Sequence, residues 1–341
     1  MPSYDFPSSP STGDTYFEYA FNGSSWTTND AVFANNRFKY RSIYTRGYVS
    51  GGYKASSPWR NVNRTQHSTD TSTNLGDIMD KNSAYTMGSY SDYNQYVYQA
   101  YDGGTHTTLG NYTNSISMVT ETGRTHDSAW DTPNNFGSYS DIGVVLSPGL
   151  TAAWLMGSGY DMCKHNLVTE IMSAHGVGGA YQSDFNAAWQ GDTYGWFLST
   201  YSPGSVNLRF TFATETYDSG GLTVGTNGWG KALSTKDGFA YVKNGGNVVN
   251  TVYKVDDGTG TNLNTGLTTP DGNAGEENYQ TGQEHGYCLG HYNGVQNNNS
   301  YKVVHATDTF TTGGSDMQPK GHDGMSSASC ASASALLIGG L

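Results

Sequence analysis

Tyr241-Val242-Lys243-Asn244-Gly245-Gly246 is an apolar strand that runs straight into a double glycine, and the phrase recurs along the chain. It returns as Tyr48-Val49-Ser50-Gly51-Gly52, as Tyr96-Val97-Tyr98 running to Gly103-Gly104, and as Trp154-Leu155-Met156-Gly157. Further copies are Phe197-Leu198-Ser199 before Pro203-Gly204, Tyr287-Cys288-Leu289-Gly290, and Leu336-Leu337-Ile338-Gly339-Gly340. The starting positions differ by 48, 58, 43, 44, 46 and 49 residues. In a Gly-rich, strand-rich chain, such a period predicts a β-propeller with one four-stranded blade per repeat.

A second element keeps phase with the first. Downstream of each anchor an alternating strand runs into a short polar turn, often Thr-Asp/Glu-Thr: Asn61 to Thr71, Ser115 to Thr122, Asn207 to Thr216, Asn250 to Gly258 and Tyr301 to Thr309. In Leu208-Arg209-Phe210-Thr211-Phe212 the apolar residues fall on one parity, as a strand with one buried face requires. Asn166 to Gly176 fills the same slot, with His175 where the acidic residue stands elsewhere. Six downstream strands for seven anchors leave one repeat incomplete, and Tyr16 to Gly23 reads as a strand with no anchor before it. Counting around from Leu336 through Leu341 to Tyr48 gives 53, as (341 − 336) + 48, within the spread of the other spacings. The expectation is a closed ring in which Leu336–Leu341 and the N-terminal strands share one blade, leaving no open sheet edge between the two ends.

These phrases resemble the kelch repeat, in which an apolar strand ends at a double glycine and an alternating strand and polar turn follow. The resemblance implies an all-β, seven-bladed, kelch-like β-propeller. The count becomes six or eight if the long interval from Tyr96 to Trp154 is miscounted. Residues 1–14 read as a Pro/Ser leader and 15–341 as a single propeller domain. Gly, Tyr, Asn, Thr and Ser dominate, with 45 Gly and 26 Tyr in 341 residues, which suits short strands joined by turns. Asn186-Ala187-Ala188-Trp189 and Gly149 to Trp154 are the segments nearest to helical character, and Gly or Asp flanks both.

A formal charge of −12 with only 17 Lys and Arg argues against nucleic-acid binding, which needs clustered cations to neutralise phosphates. The densest basic stretch, Arg37, Lys39, Arg41 and Arg46, reads as a solvated strand face or a salt-bridge patch between subunits. No apolar run approaches the roughly 20 residues of a bilayer-spanning helix, and Met1 to Phe6 lacks the pattern of a secretory signal. Cys163, Cys288 and Cys330 cannot all pair within one chain and read as free thiols near half-buried strands. Free thiols fit a reducing compartment, whereas the Tyr-, Thr- and Asn-rich composition fits work outside cells. A virus particle, made in host cytoplasm and active outside, satisfies both.

The first thirty residues bear on that reading. Phe6 to Tyr16, with Gly13-Asp14-Thr15-Tyr16 at its end, followed by Phe21-Asn22-Gly23-Ser24-Ser25-Trp26, resembles a short module of tail-fibre and other virion proteins of tailed bacteriophages, particularly those of marine cyanobacteria. Asn22-Gly23 suits a tight hairpin, with Trp26 packing on the adjoining strand. The resemblance implies a virion component.

Chemical motifs are sparse. His285-x-x-Cys288-x-x-His291 and Cys163-x-His165 have metal-like spacings, but positions three apart on a strand face opposite sides. Asp256-Asp257-Gly258-Thr259-Gly260-Thr261-Asn262 resembles part of a calcium loop yet lacks its later acidic positions, so it reads as a turn. His322-Asp323 lies on a Gly-bounded loop with no nucleophile marked for it. The expectation is therefore a non-enzymatic protein with no catalytic residues, no cofactor and no metal.

Three functions follow from this sequence. The first is a structural protein of a tailed-phage virion, in capsid, neck or tail, acting as a rigid docking or adhesion disc. Its partners would be other virion proteins in multiple copies, with neither nucleic acid nor membrane insertion. The second is a propeller binding a host-surface glycan or receptor through exposed aromatics, with Tyr90, Tyr93, Tyr139, Trp130 and Trp189 as candidates. The third is a metal oxidase on a kelch scaffold, which needs Tyr and His converging on the ring axis.

Overall fold

The computed structural model describes residues 15–16, 19–21 and 26–28 and, from 46 to 330, the strands with most of their tight turns. Six four-stranded antiparallel sheets dominate it. The first blade runs outward as Ser327–Cys330, Arg46–Ser50, Val62–Gln66 and Thr71–Gly76. The second is Tyr85–Ser91, Tyr96–Asp102, Asn111–Ser117 and Thr122–Gly123, and the third Gly143–Leu146, Ala152–Met156, Met162–Asn166 and Ile171–His175. The fourth is Ala187–Gln190, Tyr194–Leu198, Asn207–Thr211 and Thr216–Ser219. The fifth is Lys231–Ser234, Phe239–Lys243, Thr251–Asp256 and Asn262–Thr268; the sixth is Asn278–Thr281, His285–Tyr292, Gln296–Val304 and Thr309–Thr312. The innermost strands of successive blades lie beside one another, and that of the sixth meets that of the first, which closes the ring.

Closure pairs a late strand with an early one, and the strands are not those expected. Ser327–Cys330 pairs antiparallel with Arg46–Ser50, setting Ala328 opposite Val49 and Cys330 opposite Gly47. The seventh anchor, Leu336 to Gly340, lies outside the described residues. Six anchors form the second strands of the six blades, and all six downstream strands fall within the outer two strands of the same blades. The count of seven is therefore corrected to six. Ser327–Cys330 already completes the blade that contains Tyr48, so the ring closes without the seventh phrase. Tyr16 to Gly23 is likewise not part of a blade: Thr15–Tyr16, Tyr19–Phe21 and Trp26–Thr28 form a separate three-stranded sheet. Phe21 there stands opposite Trp26, as a hairpin about Asn22-Gly23 requires. The long interval from Tyr96 to Trp154 hides no extra blade, because its surplus lies in the connection 124–142, which includes a 3₁₀ turn at Ser128–Trp130.

The hydrophobic core is divided among the seams between blades. Leu155 packs toward the second blade with Tyr98 and Ala100, while its neighbours Trp154 and Met156 pack toward the fourth with Phe197 and Phe210. A second strand therefore buries both faces and reads as an apolar run, as in Ala152–Met156 and, up to its final Lys243, in Phe239–Lys243. A third strand alternates, as in Asn207–Thr211, where Leu208 and Phe210 are buried. Both segments with helical character are strands, Ala187–Gln190 and Ala152–Met156, because burial on two sheet faces overrides the local preference of Ala.

Candidate docking surface

In an antiparallel meander the connections alternate between the two edges of the sheet, so a propeller has two unlike faces. Connections from first to second and from third to fourth strand emerge on one face and span only three to five residues. Those from second to third strand, and from one blade to the next, emerge on the other face and reach 19 residues at 124–142 and 14 at 313–326. One face is a set of tight turns; the other bears the long loops.

The tight-turn face carries a ring of clamps. At one position in the turn between third and fourth strands stand Asp70, Glu121, Glu170, Glu215, Gly260 and Asp308, successively 51, 49, 45, 45 and 48 residues apart. All six have positive φ, from 52° at Glu215 to 71° at Gly260. A left-handed residue there lets a short hairpin loop reverse the chain, and glycine would be the least strained choice. Five positions instead hold an acid, because its carboxylate reaches the preceding blade.

Each carboxylate meets an aromatic residue of the neighbour's second strand or a cation beside it. Tyr241 stands opposite Lys254 in the fifth blade; its hydroxyl donates to Asp308 at 2.7 Å and the Lys254 ammonium donates at 2.8 and 3.0 Å. Tyr287 and Lys302 of the sixth blade likewise hold Asp70 at 3.0 and 2.6 Å. Glu121 accepts from Arg46 and Arg64 at 2.8 Å and from the Tyr48 hydroxyl at 3.3 Å. Burial pushes the Tyr48 phenol up to about 12, so it remains a donor. Glu170 accepts from Tyr98 at 2.6 Å and from both Arg124 terminal nitrogens at 2.8 and 3.0 Å. The Arg124 hydrogen bond, with burial opposing, holds the Glu170 carboxyl below its ordinary range. Glu215 is paired with Lys164. His175, expected to replace the acid in the third repeat, instead donates from Nε2 to the Glu215 backbone carbonyl at 3.1 Å, and Glu170 holds the acidic position.

The fifth blade breaks the pattern with Gly260. A Cβ there would stand 2.7 Å from the Trp196 ring, and Arg209, which would clamp an acid, pairs instead with Asp218 of its own blade at 3.1 and 2.5 Å. The Trp196 indole donates to the backbone carbonyl of Asp257 at 2.7 Å.

Behind the clamp between the second and third blades lies a buried polar cluster. Tyr90 bonds His165 Nδ1 at 2.9 Å, and the Tyr98 ring stands edge-on to the same imidazole at 4.7 Å between centroids. Burial lowers the His165 pKa to about 4 and raises the Tyr90 phenol well above its usual value, so the imidazole is neutral and Tyr90 is the donor. Cys163, two residues from His165 on one strand, is also buried. With no exposure at His165 or Cys163 and 1% at Tyr90, these groups hold the seam and offer a substrate no approach.

Three of the five expected stacking aromatics are core residues. Tyr90 and Trp189 are buried in blade seams, and Trp130 packs edge-on against Tyr98 with Arg124 over its ring at 4.4 Å. Tyr93 and Tyr139 lie outside the described residues, as do Arg37, Lys39, Arg41, His322, Asp323 and the side chains of Cys288, His291 and Cys330. Arg46, expected on a solvated strand face or in a salt-bridge patch between subunits, is in an intramolecular clamp. Asp256 serves its own turn, accepting from the Gly258 and Thr259 amides at 3.1 and 2.7 Å and from the Thr259 hydroxyl at 2.7 Å. Among the described residues no group of His, Cys, Asp and Glu is arranged to hold a metal ion, and no helix is long and apolar enough to cross a membrane.

The clamps went unnoticed in the sequence although their signal is there. Arg64, Lys164, Arg209, Lys254 and Lys302 each stand six residues before the acid or glycine of their own turn. No protein-family model matches the sequence, and no curated protein matches it.

Proposed function

We propose that this protein is a non-enzymatic docking or adhesion disc, a structural component of a tailed-phage virion, with its long-loop face as the recognition surface. The observation that carries the reading is the asymmetry of the two faces. On one, tight turns and ion-pair clamps tie blade to blade; on the other lie connections of varied length and polar, Gly-rich sequence. A disc held stiff on one side fixes the relative positions of the strands from which those loops spring, which favours a docking role. Membership of a virion rests on the resemblance of the first thirty residues to phage structural proteins, and the kelch likeness on the double-glycine phrases. Glycan or receptor binding is the adhesive form of the same reading; of its remaining aromatic candidates Tyr139 falls in a connection of the long-loop face, whereas Tyr93 falls in one of the tight-turn face.

The test is density-gradient purification of particles from the source, with this chain quantified in each fraction by mass spectrometry. A docking component bands with intact particles at fixed stoichiometry. Recovery only in the soluble fraction, with none on particles, overturns the proposal.

A further inference from the structure

We propose that the seam between the fourth and fifth blades is a pH-gated joint, closed when the Asp257 carboxyl is protonated and loosened when it ionises. The structure sets this seam apart from its neighbours. It has Gly260 where the other five turns carry Asp or Glu, and so has no carboxylate clamp. At the tight-turn end of its apolar core, what holds this seam is the Trp196 ring against Gly260 and Leu222, and the indole hydrogen bond to the Asp257 carbonyl.

The Asp257 side chain is seated within that contact. The residue is 7% exposed, and Oδ2 is buried with no hydrogen-bond partner among the described residues. Its carboxyl lies against residue 191 so closely that a Cβ there would stand 2.7 Å from Oδ1, and glycine leaves the room. The groups acting on it share its sign: Asp256 from its own strand and Asp192 from the turn of the fourth blade. The Asp257 amide donates to the Gly238 carbonyl at 3.1 Å, and the same turn carries Lys236 and Asp237, which lie outside the described residues. Lys254 and Arg209 are engaged with Asp308 and Asp218. Burial first, then Asp256 and Asp192, raise the Asp257 pKa to about 7.

The sign follows from linkage. A carboxyl with a raised folded pKa stabilises the closed seam in its protonated form; that contribution is fully present below the ordinary aspartate value and is lost as pH rises toward about 7. The connection 220–230 places Leu222 and Val224 in the seam core, so loosening reaches the long-loop face. The inference stands apart from the docking proposal, and either can fail alone.

Hydrogen-exchange mass spectrometry of the full chain at pH 5 and pH 8, corrected for intrinsic rates, tests it. Wild-type protein should lose more than ten-fold of its amide protection in 194–198 and 251–256 between the two pH values, while Tyr96–Asp102 of the second blade, remote from this seam, changes little. Asp257→Asn, which stays neutral, should retain its protection at both. If Asp257→Asn fails to fold, Asp192→Asn serves instead and should move the midpoint of the wild-type change to lower pH. Equal protection of wild type at pH 5 and 8 overturns the proposal, as does the same loss in Asp257→Asn or an unmoved midpoint in Asp192→Asn.

Discussion

Individual residues carry the most specific consequences of this fold. Gly260 combines a φ of 71° with Trp196 and Leu222 atoms 2.7 and 2.8 Å from where a Cβ would stand. Gly260→Ala should therefore destabilise the protein by roughly 2–4 kcal/mol in chemical denaturation, from overpacking plus left-handed strain. Asp308 tolerates the same backbone region better, and its carboxylate meets both Tyr241 and Lys254. Asp308→Asn keeps an acceptor for each and should cost only about 0.5 kcal/mol, whereas Asp308→Ala should cost about 1–2 kcal/mol, since it leaves the tyrosine hydroxyl and the ammonium without that acceptor. Buried titrating groups pull in opposite directions. Asp257, raised to about 7, loses its stabilising proton as pH rises from its unfolded value of 3.8; His165, lowered to about 4, destabilises the fold as pH falls below 6.5. The two nearly cancel in weak acid, so thermal stability of the wild type should vary little there. Asp257→Asn, with the falling limb removed, should gain a few kcal/mol between pH 4 and 6.5.

At the scale of the hairpin, the pairing partner is the informative result. Lys302 and Asp308 lie six residues apart in one hairpin and invite assignment to each other, yet Lys302 reaches Asp70 in the first blade and Asp308 is held by Lys254 in the fifth. A double-mutant cycle on Lys302 and Asp70 should give a coupling of about 0.5–1 kcal/mol, and a cycle on Lys302 and Asp308 should give none. The basic residue, the acid and the flanking threonines could all be read along the chain as a repeated turn. Their assignment to different blades could not, since it depends on how one sheet is rotated against the next. Tyr90, Trp130 and Trp189 met the same limit: an aromatic near a loop has the same local signature whether it faces solvent or the adjoining blade.

For the whole molecule, closure is the decisive contact. Deleting 327–341 removes the innermost strand of the first blade, exposes the edge of Arg46–Ser50 and parts the sixth blade from the second. The truncated chain should melt at a distinctly lower temperature and associate at concentrations where the full chain does not, as size-exclusion chromatography with light scattering will reveal. An unaltered melting curve would show that the ring does not depend on this strand.

The amino-acid sequence by itself determined that the protein is a β-propeller and where the second strand of each blade lies. These features are local or periodic: a strand buried on both faces must be continuously apolar, and a tight reversal needs glycine or a left-handed residue. Only the tertiary structure decided the number of blades, the strands that close the ring, and the seam that lacks a clamp. Each of these depends on which distant segments satisfy one another's backbone hydrogen bonds and charges, which no local phrase encodes.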